Sequence, residues 1–109
     1  MLLQGHTSIV TSVSYSPDGT RLASASHDSL VMVWDVELGV QLFVLKGHRD
    51  WVYSVSFSSD GTKIVSGSRD RFIIVWDSAS GCEFVRMERQ SRPLTGVCFL
   101  PAMSDYLLK

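Results

Sequence analysis

The chain has 109 residues, of which 45% are hydrophobic, and its formal net charge at pH 7 is -1. This composition favours a folded globular domain, and so small a net charge gives no reason to expect nucleic acid as a partner. No apolar run approaches the roughly 18 residues of a membrane helix, and the stretch before Gly5 is too short for a signal-peptide core. We therefore expect an intracellular protein, cytoplasmic or nuclear, that does not enter a membrane.

The chain begins with a series of short strands separated by turn residues. Residues 10–16 alternate Val or Tyr with small residues, which is a period-two strand pattern. Residues 16–19 (SPDG) supply the Pro and Gly of a tight hairpin. The next three strands are expected at 22–26, which is rich in small residues, at 30–34 and at 40–45. The strand at 30–34 is apolar on both faces, so we expect both of its faces to be covered.

The same order of elements occurs a second time. Residues 47–77, GHRDWVYSVSFSSDGTKIVSGSRDRFIIVWD, align with residues 5–35, GHTSIVTSVSYSPDGTRLASASHDSLVMVWD, at a shift of 42 positions, and about half of the aligned positions are identical. A self-match at one fixed period is the signature of a repeat architecture. A period near 42 residues that opens with Gly-His and closes with Trp-Asp resembles the WD-repeat family of β-propellers.

The resemblance implies an all-β fold in which each repeat forms one four-stranded antiparallel blade. Residues 1–109 would form a WD-repeat region with repeats at about 5–46 and 47–88 and a partial third at about 89–109, where the pattern decays. A propeller needs about four to eight blades, so this partial propeller would be an open arc, not a closed ring. We interpret the chain as a fragment of a larger propeller protein; the alternative is a truncated gene product without independent function. The exposed blade faces would also allow copies of the chain to associate.

Each complete repeat carries a His, a Ser, an Asp and a Trp at matched positions. They are His6, Ser24, Asp28 and Trp34 in the first repeat, and His48, Ser66, Asp70 and Trp76 in the second. In WD-repeat proteins, similar residues form a structural tetrad: the Asp fixes the imidazole, the His holds the Ser hydroxyl, and the Ser accepts the indole N–H. A buried indole N–H needs an acceptor and a buried carboxylate needs donors, which favours this structural role.

A hydrolase that uses the Ser-His-Asp set is the rival interpretation. It is disfavoured because the set occurs twice at identical spacing, with no nucleophile elbow and no evident oxyanion hole. We therefore predict no catalytic residue. The choice of serine is open, because Ser26 and Ser68 lie on the same strand faces as Ser24 and Ser66.

Positions that differ between the two repeats are candidates for binding. The resemblance places the start of the innermost strand, and the residue before the turn Asp, on the rim where WD-repeat proteins commonly take peptides. The candidates there are Ile9, Thr11 and His27 in the first repeat and Trp51, Tyr53 and Arg69 in the second. The second set is stronger, since Trp, Tyr and Arg are enriched at binding hot spots and an Arg beside aromatic rings can hold an acidic group. The alternative is that Trp51 only fills the channel mouth or contacts the neighbouring blade.

The sequence contains no signature of a cofactor or a metal. A phosphate-binding glycine loop, HExxH, CxxC and an EF-hand are all missing, and Cys82 and Cys98 lack the spacing of metal ligands. We read the two cysteines as reduced thiols, with a disulfide as the alternative. The leading interpretation is a non-catalytic scaffold that binds protein or peptide partners, with no cofactor, no metal and no nucleic acid.

Overall fold

The structure is a computed structural model that describes residues 3–88 and the two short strands 97–99 and 106–108. Every regular element in this part of the chain is a β-strand. The strands are β1 (Val10–Tyr15), β2 (Arg21–Ser26), β3 (Leu30–Asp35), β4 (Val40–Lys46), β5 (Val52–Phe57), β6 (Lys63–Ser68), β7 (Phe72–Asp77), β8 (Glu83–Glu88), β9 (Val97–Phe99) and β10 (Tyr106–Leu108).

The strands form two four-stranded antiparallel sheets, each in chain order. The sheet β1-β2-β3-β4 is called blade 1 below, and the sheet β5-β6-β7-β8 is called blade 2. Strands β9 and β10 pair antiparallel with each other, and β9 lies beside β5 and β6. The all-β class and the two four-stranded antiparallel blades are therefore confirmed. The repeat limits remain predictions, and much of the partial third repeat at 89–109 lies outside the described residues.

The hairpin that joins the first two strands of each blade is fixed by a glycine and an aspartate. Gly19 and Gly61 have φ of +74° and +77°, a left-handed conformation that glycine adopts without penalty. In blade 1 the Asp18 carboxylate accepts hydrogen bonds from the Thr20 backbone N–H (3.0 Å) and from the hydroxyls of Ser16 and Thr20. The Thr20 N–H, with these hydroxyls, lowers the pKa of Asp18 to about 2. The turn therefore keeps its ionised carboxylate at any physiological pH.

The hydrophobic core lies between the two blades. Strand β3 is covered on both faces, because Val31, Met32, Val33 and Trp34 are all buried. The main core cluster draws on both sheets and contains Ala23, Ala25, Val31, Val33, Leu45, Val52, Val55, Phe57, Ile64, Ile74 and Trp76. The burial of apolar area on both sides of the junction is the main force that holds blade 1 against blade 2.

Serine hydroxyls on β1 form hydrogen bonds with the backbone of β5, the first strand of blade 2. The Ser12 hydroxyl accepts a hydrogen bond from the backbone N–H of Val55 (3.4 Å), and the Ser14 hydroxyl accepts one from Phe57 (3.2 Å). Strand β5 is the first strand of its sheet, so these N–H groups have no partner within blade 2. The small residues of β1 thus let the blades approach closely while satisfying buried backbone donors.

The opposite face of β1 is open. Val13 is 56% exposed and Tyr15 is 60% exposed, whereas their counterparts Val55 and Phe57 in blade 2 are 4% and 7% exposed. The counterparts are buried because blade 1 covers them. The first blade therefore presents an apolar face of the kind that blade 2 buries at the junction.

Candidate interaction site

Four polar side chains from four separate segments meet inside blade 2. His48 precedes β5, Ser66 lies on β6, Asp70 lies in the β6–β7 turn and Trp76 lies on β7. The His48 Nδ1 atom is 3.0 Å from an Asp70 carboxylate oxygen, and His48 Nε2 is 2.7 Å from Ser66 Oγ. The indole N–H of Trp76 donates to Ser66 Oγ over 2.9 Å. These hydrogen bonds form one continuous network from Asp70 in the β6–β7 turn to Trp76 on β7.

Blade 1 repeats the same network. The corresponding distances are 2.8 Å from His6 to Asp28, 2.7 Å from His6 to Ser24, and 2.9 Å from Trp34 to Ser24. The second serine of the strand has a different task, since the Ser26 hydroxyl accepts from the Asp28 backbone N–H over 3.1 Å. The structure therefore brings together all eight residues of the two sequence-derived sets and separates the roles of the two serines.

The protonation states in blade 2 follow from burial and from the partners. Burial alone would raise the pKa of the Asp70 carboxyl, but the N–H groups of Arg49 and Phe72, together with His48, hold that pKa below its ordinary value. Burial lowers the pKa of His48, and the Asp70 carboxylate offsets only part of this effect. The imidazole is therefore neutral at pH 7. Its Nδ1–H is assigned as the donor to Asp70, which leaves Nε2 to accept the Ser66 hydroxyl proton.

The serine oxygens are closed off from solvent. Ser66 is fully buried and Ser24 is 4% exposed. Within the described residues, no buried side-chain nitrogen or oxygen lacks a hydrogen-bond partner. Each of these serines accepts the indole N–H and donates its own proton to the histidine, and its oxygen is not accessible to a substrate. This arrangement suits a structural network better than a nucleophile.

The glycine of each Gly-His pair has a role that sequence reasoning missed. A Cβ atom added to Gly47 would lie 2.9 Å from Cη2 of Trp76, and one added to Gly5 would lie 2.9 Å from Cη2 of Trp34. The chain must pass this close to the indole so that the next residue, the histidine, reaches its serine. The signal was present in the sequence, because Gly-His and Trp-Asp occur together in both repeats.

The β6–β7 turn positions both a network residue and a rim residue. Arg71 has φ of +75°, a strained left-handed conformation for a residue other than glycine. The Asp70 carboxylate stabilises this turn by accepting the Phe72 backbone N–H over 2.8 Å, and the Ser68 hydroxyl accepts the Asp70 N–H over 3.1 Å. The turn therefore fixes where the neighbouring Arg69 leaves the blade.

Four of the predicted rim residues form one cluster across the blade junction, called the rim cluster below. The His27 ring of blade 1 stacks on the Trp51 indole of blade 2, with ring centroids 3.9 Å apart and planes inclined by 10°. The Tyr53 ring stands edge-on to both, at 6.4 Å from His27 and 6.3 Å from Trp51. The Arg69 guanidinium carbon lies 4.6 Å from the centroid of the Trp51 ring. Trp51 is 37% exposed, so the cluster reaches the surface.

The other two predicted rim residues have different surroundings. The Thr11 hydroxyl donates to the backbone carbonyls of Val52 (2.6 Å) and Ala25 (3.2 Å), so it ties the two blades together. Ile9 is mostly exposed, and its carbonyl accepts the His27 backbone N–H over 2.9 Å. Thr11 therefore serves the junction, and Ile9 supports the strand end that carries His27.

Asp50 is a charged member of this rim that sequence reasoning missed. One of its carboxylate oxygens accepts the Trp51 backbone N–H over 2.7 Å, and the other lies 3.7 Å from Arg69 Nε. The signal that could have found it is the comparison of repeats, because Ser8 stands at the matching position of the first repeat. The three rings and one cation of the rim cluster therefore have one anion, Asp50, beside them.

Other sites in the described residues are weaker. The opposite end of the junction holds an open cleft of about 290 Å³, lined by Ser16, Pro17, Asp18, Thr20, Arg21, Phe57, Asp60 and Gly61. Across residues 3–88, no group of three or more His, Cys, Asp or Glu side chains could hold a metal ion, and no helix could cross a membrane. Cys82 is exposed and free, whereas the Cys98 side chain lies outside the described residues.

Comparison with protein families and known proteins gives consistent matches. The WD40 family model, described as "WD domain, G-beta repeat", matches residues 1–35 and 39–77. Among curated proteins, the small ribosomal subunit protein RACK1z of Arabidopsis thaliana is 44% identical over 43 residues, which cover 39% of this chain and 13% of that protein. Periodic tryptophan protein 2 of Saccharomyces cerevisiae is 47% identical over 36 residues, which cover 33% of this chain and 4% of that protein.

Solved structures match over a longer stretch. A structure titled "Structure of U3-55K" superposes with a TM-score of 0.93 at 27% identity, covering 97% of this chain and 34% of that chain. A second, titled "Crystal structure of RRP9 WD40 repeats", gives the same TM-score and identity. The chain therefore spans about a third of these structures and a smaller share of the curated relatives. The partial-propeller fold expected from the sequence is confirmed.

Proposed function

This chain belongs to the WD40 repeat family, and from that premise we propose that it is a non-catalytic scaffold that binds a segment of a partner protein at the rim cluster. The proposal rests on one observation above all. Trp51, His27 and Arg69 come from both blades and meet at an exposed rim, held in place by backbone bonds and ring stacking. A rigid aromatic and guanidinium cluster of this kind is typical of binding hot spots.

The geometry supports binding more than it supports filling of the junction. Trp51 keeps 37% of its surface exposed, and the Arg69 side chain keeps 48%. A residue that served only to pack the junction would resemble Trp76, which is 2% exposed. The cluster can therefore bury further area when a partner segment covers it.

The non-catalytic part of the proposal draws on the tetrads. Their serine oxygens are buried and already bonded to an indole and an imidazole. We expect neither the chain nor its Ser24→Ala variant to hydrolyse an activated ester above the buffer rate. Hydrolysis by the chain that disappears in Ser24→Ala would support the hydrolase alternative instead.

A cytoplasmic or nuclear location and protein partners belong to the same proposal. The support comes from the family and from RACK1z, which is named as a small ribosomal subunit protein. The chain covers 13% of that protein, so the activity of the whole relative is not transferred to this chain.

The test is selection of peptides from a random displayed library by the full chain. Selected peptides should bind the chain, and their affinity for Trp51→Ala and for Arg69→Ala should be about thirty-fold lower or more, since truncation of a hot-spot residue costs at least about 2 kcal/mol. Glu37→Ala is the matched control, because Glu37 is exposed in the β3–β4 turn at the other end of blade 1. Peptides that bind both rim variants as well as they bind the unchanged protein would contradict the proposal, provided that urea midpoints match.

A further inference from the structure

The Arg69 side chain is oriented by its neighbours but makes little use of its hydrogen-bonding capacity. Its guanidinium lies over the Trp51 indole, and its backbone N–H donates to the Trp51 carbonyl over 2.8 Å. Within residues 3–88 the guanidinium donates no hydrogen bond, because the Asp50 oxygen at 3.7 Å is beyond hydrogen-bond distance. A guanidinium offers five N–H donors in a planar fork that matches a carboxylate.

A second arginine shows what a completed pair looks like in this protein. Arg86 donates through Nε to one oxygen of Glu83 over 2.8 Å and through a terminal nitrogen to the other over 2.6 Å. Arg69 has the same functional group, but in the described part of the chain it has no such bidentate partner, and both Arg69 (48%) and Asp50 (41%) keep exposed side chains. The rim thus holds a guanidinium ready for a bidentate contact that no carboxylate within residues 3–88 supplies.

Comparison of the two repeats separates the Asp50 carboxylate from the requirements of the fold. The matching residue of the first repeat is Ser8, and blade 1 builds the same strand start and the same buried network without a carboxylate there. Of the two repeats, only the second has a carboxylate at this position, and only the second has an arginine at the neighbouring rim position. The matching position to Arg69 in the first repeat is His27.

We propose that the rim cluster recognises a carboxylate of the partner segment through Arg69, and that Asp50 is an internal competitor that weakens this contact. This inference rests on the proposed function and names the chemistry of its ligand. An incoming carboxylate forms two hydrogen bonds with the Arg69 guanidinium, whereas the Asp50 carboxylate forms no hydrogen bond with it. The Trp51 ring beneath the guanidinium holds it in place and excludes water from one side.

The competition has a defined sign. Asp50 lowers the positive potential at Arg69 in the free protein, and its charge repels the ligand carboxylate in the complex. Removal of that charge should therefore strengthen binding. The Asp50→Asn change keeps an oxygen to accept the Trp51 N–H, so it removes the charge without removing the local hydrogen bond.

The test is fluorescence anisotropy of a labelled, C-amidated peptide of alternating Glu and Ala, titrated with the full chain. Asp50→Asn should tighten binding about two- to five-fold, the range of an exposed ion pair. Asp50→Glu, which keeps the charge, should stay close to the unchanged protein. Arg69→Gln should weaken binding about ten-fold or more, and Arg69→Lys should recover only part of the loss.

Two further peptides identify the source of the carboxylate by competition. One replaces every Glu with Gln and stays amidated, and it should not compete. The other has the same Gln residues with a free C-terminal carboxylate. Competition by this peptide shows that a chain terminus can occupy the site as well as an acidic side chain, and its failure restricts the site to acidic side chains; either result supports a carboxylate ligand.

Equal competition by the amidated Gln peptide would overturn the inference, as would unchanged or weaker binding by Asp50→Asn. Such a failure can be told apart from failure of the proposed function. Peptides without acidic residues that are selected from the library, and that still depend on Trp51, would leave the scaffold proposal standing while removing the carboxylate and the competitor.

Discussion

The Ser66 hydroxyl is the centre of the blade 2 network, so Ser66→Ala is the sharpest test of how that blade is held together. The change removes the acceptor of the Trp76 indole N–H and the donor to His48 Nε2. Both groups lie in the interior, since Trp76 is 2% and His48 is 7% exposed. Leaving a buried polar group without its partner costs about 1–3 kcal/mol. We therefore expect a loss of about 2–4 kcal/mol in the free energy of unfolding.

The assay is urea unfolding of the full chain followed by far-UV circular dichroism. Ser59→Ala is the matched control, because Ser59 is exposed on the surface of the same blade and should change stability by less than about 0.5 kcal/mol. A double-mutant cycle with Trp76→Phe isolates the serine–indole bond, because phenylalanine has no N–H to leave unpaired. We expect Ser66→Ala to cost about 1–2 kcal/mol less in the Trp76→Phe background.

Two results would refute this reasoning. One is a Ser66→Ala cost no larger than that of Ser59→Ala, which would mean that the hydrogen bonds contribute nothing to stability. The other is strict additivity in the cycle with Trp76→Phe, which would mean that the serine does not act through the indole.

Three further predictions concern pH, packing and association. The free energy of unfolding should fall as pH drops from 7 to about 5, because His48 gains a proton in the unfolded chain near its ordinary pKa of 6.5, whereas the lower pKa of folded His48 keeps the imidazole neutral. His48→Gln should therefore reduce the pH dependence of the urea midpoint. An unchanged pH dependence would contradict this prediction. Gly81→Ala should lower the Tm more than Gly19→Ala, because both glycines have φ of +74° but a Cβ added at Gly81 would lie 2.8 Å from the Phe43 ring, whereas one added at Gly19 meets no atom within 4 Å. Equal losses of Tm would exclude a steric contribution from the Phe43 ring. The chain should self-associate through the exposed face of β1, so the double variant Val13→Ser/Tyr15→Ser should have a lower mass by light scattering, closer to that of the monomer. An unchanged mass, or a monomeric mass for the unsubstituted chain, would contradict this prediction.

The repeat itself made most of the fold predictable. Two aligned copies of each strand pattern show which positions are framework, and the Pro, Asp and Gly of the first hairpin mark its turn. The strands lie within a residue or so of their expected limits, as with 22–26, which the structure extends to Arg21–Ser26. The residues of the buried networks were predictable from the resemblance to WD-repeat proteins, together with their matched positions in both repeats.

The choice between neighbouring serines and the shape of the rim were not predictable from the sequence. Ser24 and Ser26 lie on one strand face, and only the position of the Trp34 indole on β3 decides which of them accepts its N–H. The stack of His27 on Trp51 depends on how one blade packs against the next, a relation that no spacing within a repeat encodes. The pairing of Asp50 with Arg69 joins two segments for the same reason.

The indole N–H signals of the three tryptophans offer the most direct test of the account. In a nitrogen-15 spectrum of the full chain, the Trp34 and Trp76 signals should exchange slowly with D₂O, because both indoles are buried and donate to serines. The Trp51 signal should exchange quickly and should be the one that moves when the Glu-Ala peptide is added. Rapid exchange of all three, or a peptide-induced shift at Trp34 and Trp76 with none at Trp51, would contradict both the locked blades and the rim site.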